Sequence, residues 1–352
     1  MRIFLLIGLF LFFSVTSYSQ LLTANDFVSI PAIPQKKLGG YLAKIGFGQG
    51  ETVALSDTIM QNYYVKNAKS KFIDYSDSRL IQSWYTRYKS GFIFYTSSQK
   101  DCVAVIKSLK DGGFFCENEN IKAPFLYQKD DILVRLSSTR EDTVTLYKFF
   151  VVKEVLPRPS AIHFAEDFLA FHSHENLAYI FGKANVQKDV YYFSDSNMVR
   201  CSVLYPNTNR QVIFVWQDEV NRCDLSHLLI GNSLRGNSAA KSDSPVSENL
   251  WTMRNGLRAN MSLDELLKLN KSDINFYGWD SQFPGIVEPS KKGEIDFAKT
   301  GVVLSCLNCR GSDFMNKDII NSEDALNNSM RMFVLALIVM PQPETEEMAS
   351  MK

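Results

Sequence analysis

Four short amphipathic stretches, each stopped by glycine or asparagine, constrain this chain more than any other feature. In residues 35–45, Leu38, Tyr41, Leu42 and Ile45 fall at helical spacing, with Gly46 beyond. Residues 99–110 repeat the pattern with Cys102, Val105, Ile106 and Leu109 ahead of Gly112 and Gly113. Residues 174–181 do so with Leu177, Ile180 and Phe181 ahead of Gly182. The fourth stretch, 263–269, carries Leu263, Leu266, Leu267 and Leu269 and stops at Asn270. Spacings of three and four place apolar side chains on one helix face, and glycine or asparagine accepts the left-handed backbone that ends a helix. The fourth start is the best marked. Ser262 and Glu265 have the spacing of the reciprocal capping box, and Asp264 and Glu265 lie at the positive end of the helix dipole.

Strand-forming residues follow. After the second helix come 123–128, 131–137 and 143–152, and after the third come 189–193, 199–205 and 211–216. Asp195-Ser196-Asn197 and the run Pro206 to Asn209 supply turn chemistry between the latter three. Residues 302–307 and 332–339 are the later strands. The pattern predicts an α+β protein of tandem small modules, each a short helix packed on an antiparallel sheet. Two modules fill an N-terminal domain over 20–156. Pro157 and Pro159 open a linker over 157–172, a third module covers 173–230, and a fourth covers 251–341. Between those two, 231–250 is rich in Gly, Asn, Ser and Ala and is expected to be a flexible loop. The acidic tail over 342–352 is expected to be disordered.

Met1-Arg2, the unbroken apolar run from Ile3 to Phe13 and the small polar residues up to Gln20 have the layout of a secretory signal over 1–19. Eleven apolar residues at about 1.5 Å each span about half of a hydrocarbon core of about 30 Å, too little for a transmembrane helix. The expectation is an exported protein, soluble in the periplasm or outside the cell, with no transmembrane segment after cleavage. The balance of 38 basic and 38 acidic residues, with 45% hydrophobic content, argues against disorder and against general nucleic-acid binding. Six cysteines in an oxidising compartment favour disulfides. Of the fifteen possible pairings the sequence-local one is simplest: Cys102 with Cys116, Cys201 with Cys223, Cys306 with Cys309.

The stretch from Arg258 through Asn260, Met261, Ser262, Asp264, Glu265 and Leu269 to Asn270 resembles the opening of the modules found in the β-lactamase inhibitor protein and the small lipoprotein of the outer-membrane barrel-assembly machinery. The resemblance covers about a dozen residues, with an echo around 177–182, and Asn260 and Asn270 stand where that family has glycine. Asparagine tolerates positive φ better than most residues, so the backbone survives the change. The resemblance implies helix-plus-sheet modules that bind other proteins.

Cys306 and Cys309 form a CxxC pair that suits a redox dithiol, half a zinc site or a local disulfide. Redox catalysis favours a helix N-terminus to lower the thiol pKa, whereas this pair closes a predicted strand. Zinc needs two more ligands, and there is no second CxxC or His pair. His172, His174 and Glu175, with His163 upstream, resemble a metal patch, yet they stand where a helix begins, with Ser173 or His174 placed to cap it. Gly46, Gly48 and Gly50 follow a helix, whereas a dinucleotide cradle lies between strand and helix. The run from Gly231 to Gly236 is one residue too long for a nucleophile elbow.

Aromatic residues crowd two stretches. Trp84, Tyr85, Tyr88, Phe92, Phe94 and Tyr95, interleaved with Arg87 and Lys89, suit a stacking platform or, more simply, strands packed into a core. Tyr277, Trp279 and Phe283 stand among Gly278, Pro284 and Gly285, which indicates a loop at a module edge. The leading expectation is therefore a non-catalytic binding or structural protein of the bacterial cell envelope. It would contact a protein or other envelope ligand through a sheet face or the 277–285 loop, with no cofactor. The alternatives are an exported thiol–disulfide enzyme using Cys306 and Cys309, and a glycan or small-ligand binder.

Overall fold

The computed structural model describes residues 21–55, 58–65, 79–86, 89–117, 125–141, 144–194, 197–231, 249–309 and 313–341. The expected export signal, the acidic tail and most of the expected loop over 231–250 lie outside the described residues. The chain divides into two compact units, Met1–Val155 and Leu156–Lys352, and its separate helices and antiparallel sheets make it α+β.

The first unit contains α1 (Ala24–Ser29), α2 (Gln35–Lys44) and α3 (Gln99–Asp111). Its strands are β1 (Phe47–Leu55), β2 (Thr58–Val65), β3 (Arg79–Tyr85), β4 (Lys89–Thr96), β5 (Phe125–Lys129), β6 (Ile132–Glu141) and β7 (Val144–Glu154). They form one antiparallel sheet in the order β1-β2-β3-β4-β7-β6-β5. The chain meanders through β4, passes through α3 to the far edge and returns, so that β7 pairs with β4. Phe27, Leu42 and Val105 from the helices pack on Phe92, Phe94 and Phe149 of the sheet. Trp84, Ile93 and Phe150 form a separate apolar cluster, with Trp84 stacked on Phe150 at 5.8 Å. The aromatics of this stretch therefore go to both faces, as strand alternation requires.

Polar ties fix the helices. Asp26, 7% exposed, accepts hydrogen bonds from the Thr23 amide and from the Tyr41 hydroxyl, at 2.7 and 2.6 Å. Burial, aided by the Asp26 carboxylate, pushes the Tyr41 phenol up to about 12. Arg79 on β3 pairs with Asp101 of α3 at 2.6 Å. The expected stop residues work as glycines must, Gly46 at φ 96° and Gly113 at φ 83°. Gly50 sits in a β-bulge of β1, where a Cβ would lie 2.3 Å from the Tyr64 ring. The buried Gln61 amide donates to the Gly50 and Glu51 carbonyls, at 3.0 Å each. Of that run of glycines, Gly46 therefore ends α2 and Gly50 serves strand geometry.

The second unit holds α4 (His174–Phe181), α5 (Leu263–Asn270) and α6 (Ser322–Asn327). Strands β8 (Val186–Ser194), β9 (Asn197–Leu204), β10 (Val212–Asp218) and β11 (Cys223–Ile230) form a meander. Strand β15 (Met332–Val339) then pairs with β11 on one side and with β13 (Thr300–Cys306) on the other. β12 (Asn275–Tyr277) and β14 (Ile319–Asn321) make a separate two-stranded ladder. The main core sets Leu177, Phe181, Leu263 and Leu266 of the helices against Phe214, Trp216, Val334 and Leu337 of the sheet. Tyr191, Cys201, Val203, Ile213 and Val215 form a second cluster, so the central strands are apolar on both faces.

Three expectations are corrected here. The helices do not each have a sheet: α2 and α3 share a seven-stranded sheet, and α4 and α5 share the core over a six-stranded one. Long strands with unpaired edges are a liability, and joining them into two large sheets removes most of those edges. The linker expected over 157–172 instead supplies Ile162, Ala165, Phe168 and Phe171 to the core, all at most 6% exposed. Their spacing of three matches the eclipsed face of a 3₁₀ helix, which Ala165–Ala170 forms. Finally, the left-handed residue ending α5 is Lys271 at φ 56°, with its amide donating to Leu267 O at 2.8 Å. Asn270 is the last helical residue and fully buried. Its amide nitrogen bonds Ser272 O at 2.9 Å, and its Oδ1 accepts from the Ile295 amide at 3.1 Å.

The opening of α5 follows the sequence closely. Asn260 takes φ 64°; its amide donates to Val334 O, and the Val334 amide donates to Met261 O, both at 2.7 Å. Ser262 and Glu265 form the capping box, with the Glu265 carboxylate accepting from the Ser262 amide at 2.8 Å. That amide, then the Ser262 hydroxyl and the charges of Arg258 and Lys268, hold the Glu265 carboxyl below its ordinary value. Ser262→Ala should lower stability by about 1 kcal/mol, measured by urea denaturation. An acid with a lowered folded pKa contributes fully above its unfolded pKa and loses that contribution as pH falls through the folded one. Glu265→Gln should therefore flatten the acid limb of the stability profile; an unchanged limb would contradict the role of this carboxylate.

Candidate functional site

The 277–285 loop is built on a rigid base. Tyr277 ends β12, and the loop closes where the Gly285 amide donates to Tyr277 O and the Tyr277 amide to Ile286 O, both at 2.9 Å. Inside it, the Ser281 hydroxyl donates to Gly278 O at 2.7 Å and accepts from the Phe283 amide at 3.2 Å. The Trp279 amide donates to Met315 O at 2.7 Å. The glycines permit close approach. A Cβ on Gly278 would stand 1.9 Å from Lys317 O, and one on Gly285, at φ 77°, would stand 2.3 Å from Leu304 O.

The three aromatic residues then divide their labour. Trp279 is half-buried and packs against the main core and against the Phe333–Leu335 cluster. Phe283 is 47% exposed and rests on Tyr277, with ring centroids 5.7 Å apart at 58°. Trp279 thus anchors the loop, while Tyr277 and Phe283 present the aromatic surface. Gly278 and Gly285, seen in the sequence only as loop markers, are what hold it in place. A large apolar side chain held outward by a fixed backbone binds with little loss of conformational entropy.

Cys306 and Cys309 are joined in a disulfide, with Cα atoms 5.6 Å apart. The bond closes the end of β13, so no helix N-terminus lies at Cys306 to activate a thiolate. Both residues are buried, and Cys309 Sγ lies 3.3 Å from Met330 Sδ and 4.0 Å from Met332 Sδ. Cys102, Cys116, Cys201 and Cys223 are thiols, which corrects the other two expected bridges. Cys201 lies opposite Val215 on β10 and Cys223 opposite Asp218 on the other side of the same strand. Two inter-strand steps of about 4.8 Å exceed the Cα span of about 4.4–6.8 Å that a disulfide accepts. Burial pushes the Cys102 thiol up to about 11, and burial followed by the Asp189 carboxylate pushes Cys201 up to about 12.

The histidine patch does not assemble. Ser173 caps α4, accepting from the Asn176 amide at 3.2 Å. The buried His174 turns inward, its Nδ1 2.9 Å from Ser202 Oγ, which also accepts from Trp216 Nε1 at 3.0 Å. Glu175 stays in the first turn of α4, and among the described residues no three His, Cys, Asp or Glu side chains converge as a metal site. His227 lies apart, 6.2 Å from Phe193, and burial holds it down to about 4. Of the other aromatic stretch, Phe92 and Phe94 are fully buried, and Arg87 and Tyr88 lie outside the described residues.

No protein-family model, curated protein or solved structure matches this chain. Among the described residues no helix is long and apolar enough to cross a membrane.

Two outcomes follow from this geometry. In the folded chain at neutral pH, Cys102 and Cys201 should resist a thiol reagent and react only after denaturation; rapid native labelling of either, read by mass spectrometry, would contradict their burial. Trp279→Ala should lower stability by about 2–4 kcal/mol, whereas Phe283→Ala should change it by about 0.5 kcal/mol. Equal losses in denaturant melts would overturn the division between anchor and presented ring.

Proposed function

We propose that this chain is an exported, non-catalytic binding or structural protein of the bacterial cell envelope, and that its contact surface is centred on Phe283 and Tyr277. The observation that carries the reading is a large apolar ring exposed on a loop whose backbone is pinned at both ends and at Trp279. Exposed aromatic residues on rigid supports are the usual anchors of protein interfaces. The apolar run Ile3 to Phe13 behind Arg2 supports export, to the periplasm or outside the cell. The likeness of residues 258–270 to the helix-plus-sheet modules of the β-lactamase inhibitor protein points to the same class, by analogy of architecture. A glycan with an apolar sugar face is the second ligand class such a ring fits.

The test is site-specific photo-crosslinking in the native envelope. A photoreactive residue at position 283 should give a discrete adduct. The same residue in place of Val103, an exposed position on α3, should give none. Matching adduct patterns at the two positions would remove the loop from consideration, and a purely carbohydrate adduct would select the glycan reading.

A further inference from the structure

The sulfur atoms around the end of β13 form a second, separate candidate site. Cys306 and Cys309 approach from one strand end, and Met330 and Met332 approach from the start of β15 beside it. Met332 lies opposite Cys306 in the β13–β15 ladder, and Met330 precedes it by two residues. Four ligands held about 2.3 Å from a tetrahedral metal lie about 3.8 Å from one another. The two Cys309–methionine separations, 3.3 and 4.0 Å, bracket that value. Asn308 braces the loop, its Oδ1 accepting from the Arg331 amide at 2.7 Å and its Nδ2 donating to Ser329 O at 3.0 Å. Cys306, Cys309 and Met332 are buried, while Met330 is partly exposed and gives a route of entry.

We propose that Cys306, Cys309, Met330 and Met332 form a redox-gated site for a soft monovalent metal ion, of which copper(I) is the type. Two thiolates with two thioethers are the donor set that selects such an ion over harder divalent cations. In the disulfide form the site is closed. A dithiol donor transfers two electrons and two protons to the Cys306–Cys309 bond, becoming a disulfide itself and leaving two thiols. Copper(I) then displaces both protons and takes the two thiolates and two thioethers as ligands. Oxidation of the pair by a disulfide acceptor expels the ion.

The full chain is reduced with excess dithiol, desalted without oxygen and titrated with copper(I) against the chromogenic chelator bicinchoninate. One equivalent should bind to the reduced protein and none to the oxidised protein. Met330→Leu and Met332→Leu, which conserve volume, should together weaken binding by about tenfold to a hundredfold, with the accessible-thiol count unchanged. Cys306→Ser with Cys309→Ser should abolish binding, the other four cysteines serving as the internal control. Failure to bind, binding indifferent to the leucine pair, retention in the folded serine pair, or tighter binding of zinc would each overturn the proposal. Should the serine pair fail to fold, the leucine variants decide.

Discussion

Strand β15 is the piece on which the second unit depends. It is paired by β13 along its whole length and by β11 at one end. Where β11 has finished, the backbone of Asn260 and Met261 bonds to Val334 in its place. One apolar strand therefore satisfies three partners and contributes to the cores on both sides of the sheet. A central strand can be hydrophobic at almost every position because neither face meets water, and Met332–Val339 is such a run. The capping box of α5, the anchor of the aromatic loop and the sulfur cluster all rest on its first half.

Much of this was legible because local chemistry and tertiary need agree. The four helices, the meander from β8 to β10 and the strand from Met332 to Val339 follow from periodicity and punctuation. The capping box at Ser262 and the positive φ at Asn260 follow from residue types alone. What escaped was long-range. Nothing local tells β7 to pair with β4, or the stretch 157–172 to enter a core instead of bridging two. The interval of three between Ile162, Ala165, Phe168 and Phe171 was a usable signal, masked by the prolines just before it.

The candidate sites divide in the same way. Tyr277, Trp279 and Phe283 were visible as an aromatic loop, but which ring is outward depends on packing against Phe333 and Leu335, some fifty residues away. The cysteines were visible as a pair with a preferred local bridge, whereas Met330 and Met332 become relevant only when strand pairing brings them alongside. His174 failed as a ligand because Ser202 and Trp216 offer it a buried hydrogen-bond network, and buried polar groups are held to such partners.

The place of β15 also bears on how the molecule is made. Synthesis releases the meander β8 to β11 well before the strand that must close beside it, and about a hundred residues separate β11 from its neighbour. During that interval β11 offers an unsatisfied hydrogen-bonding edge flanked by apolar side chains, a surface that invites mispairing. Topologies dominated by distant contacts acquire their structure slowly. The second unit is thus the stage of maturation at which a folding helper would have the most to protect.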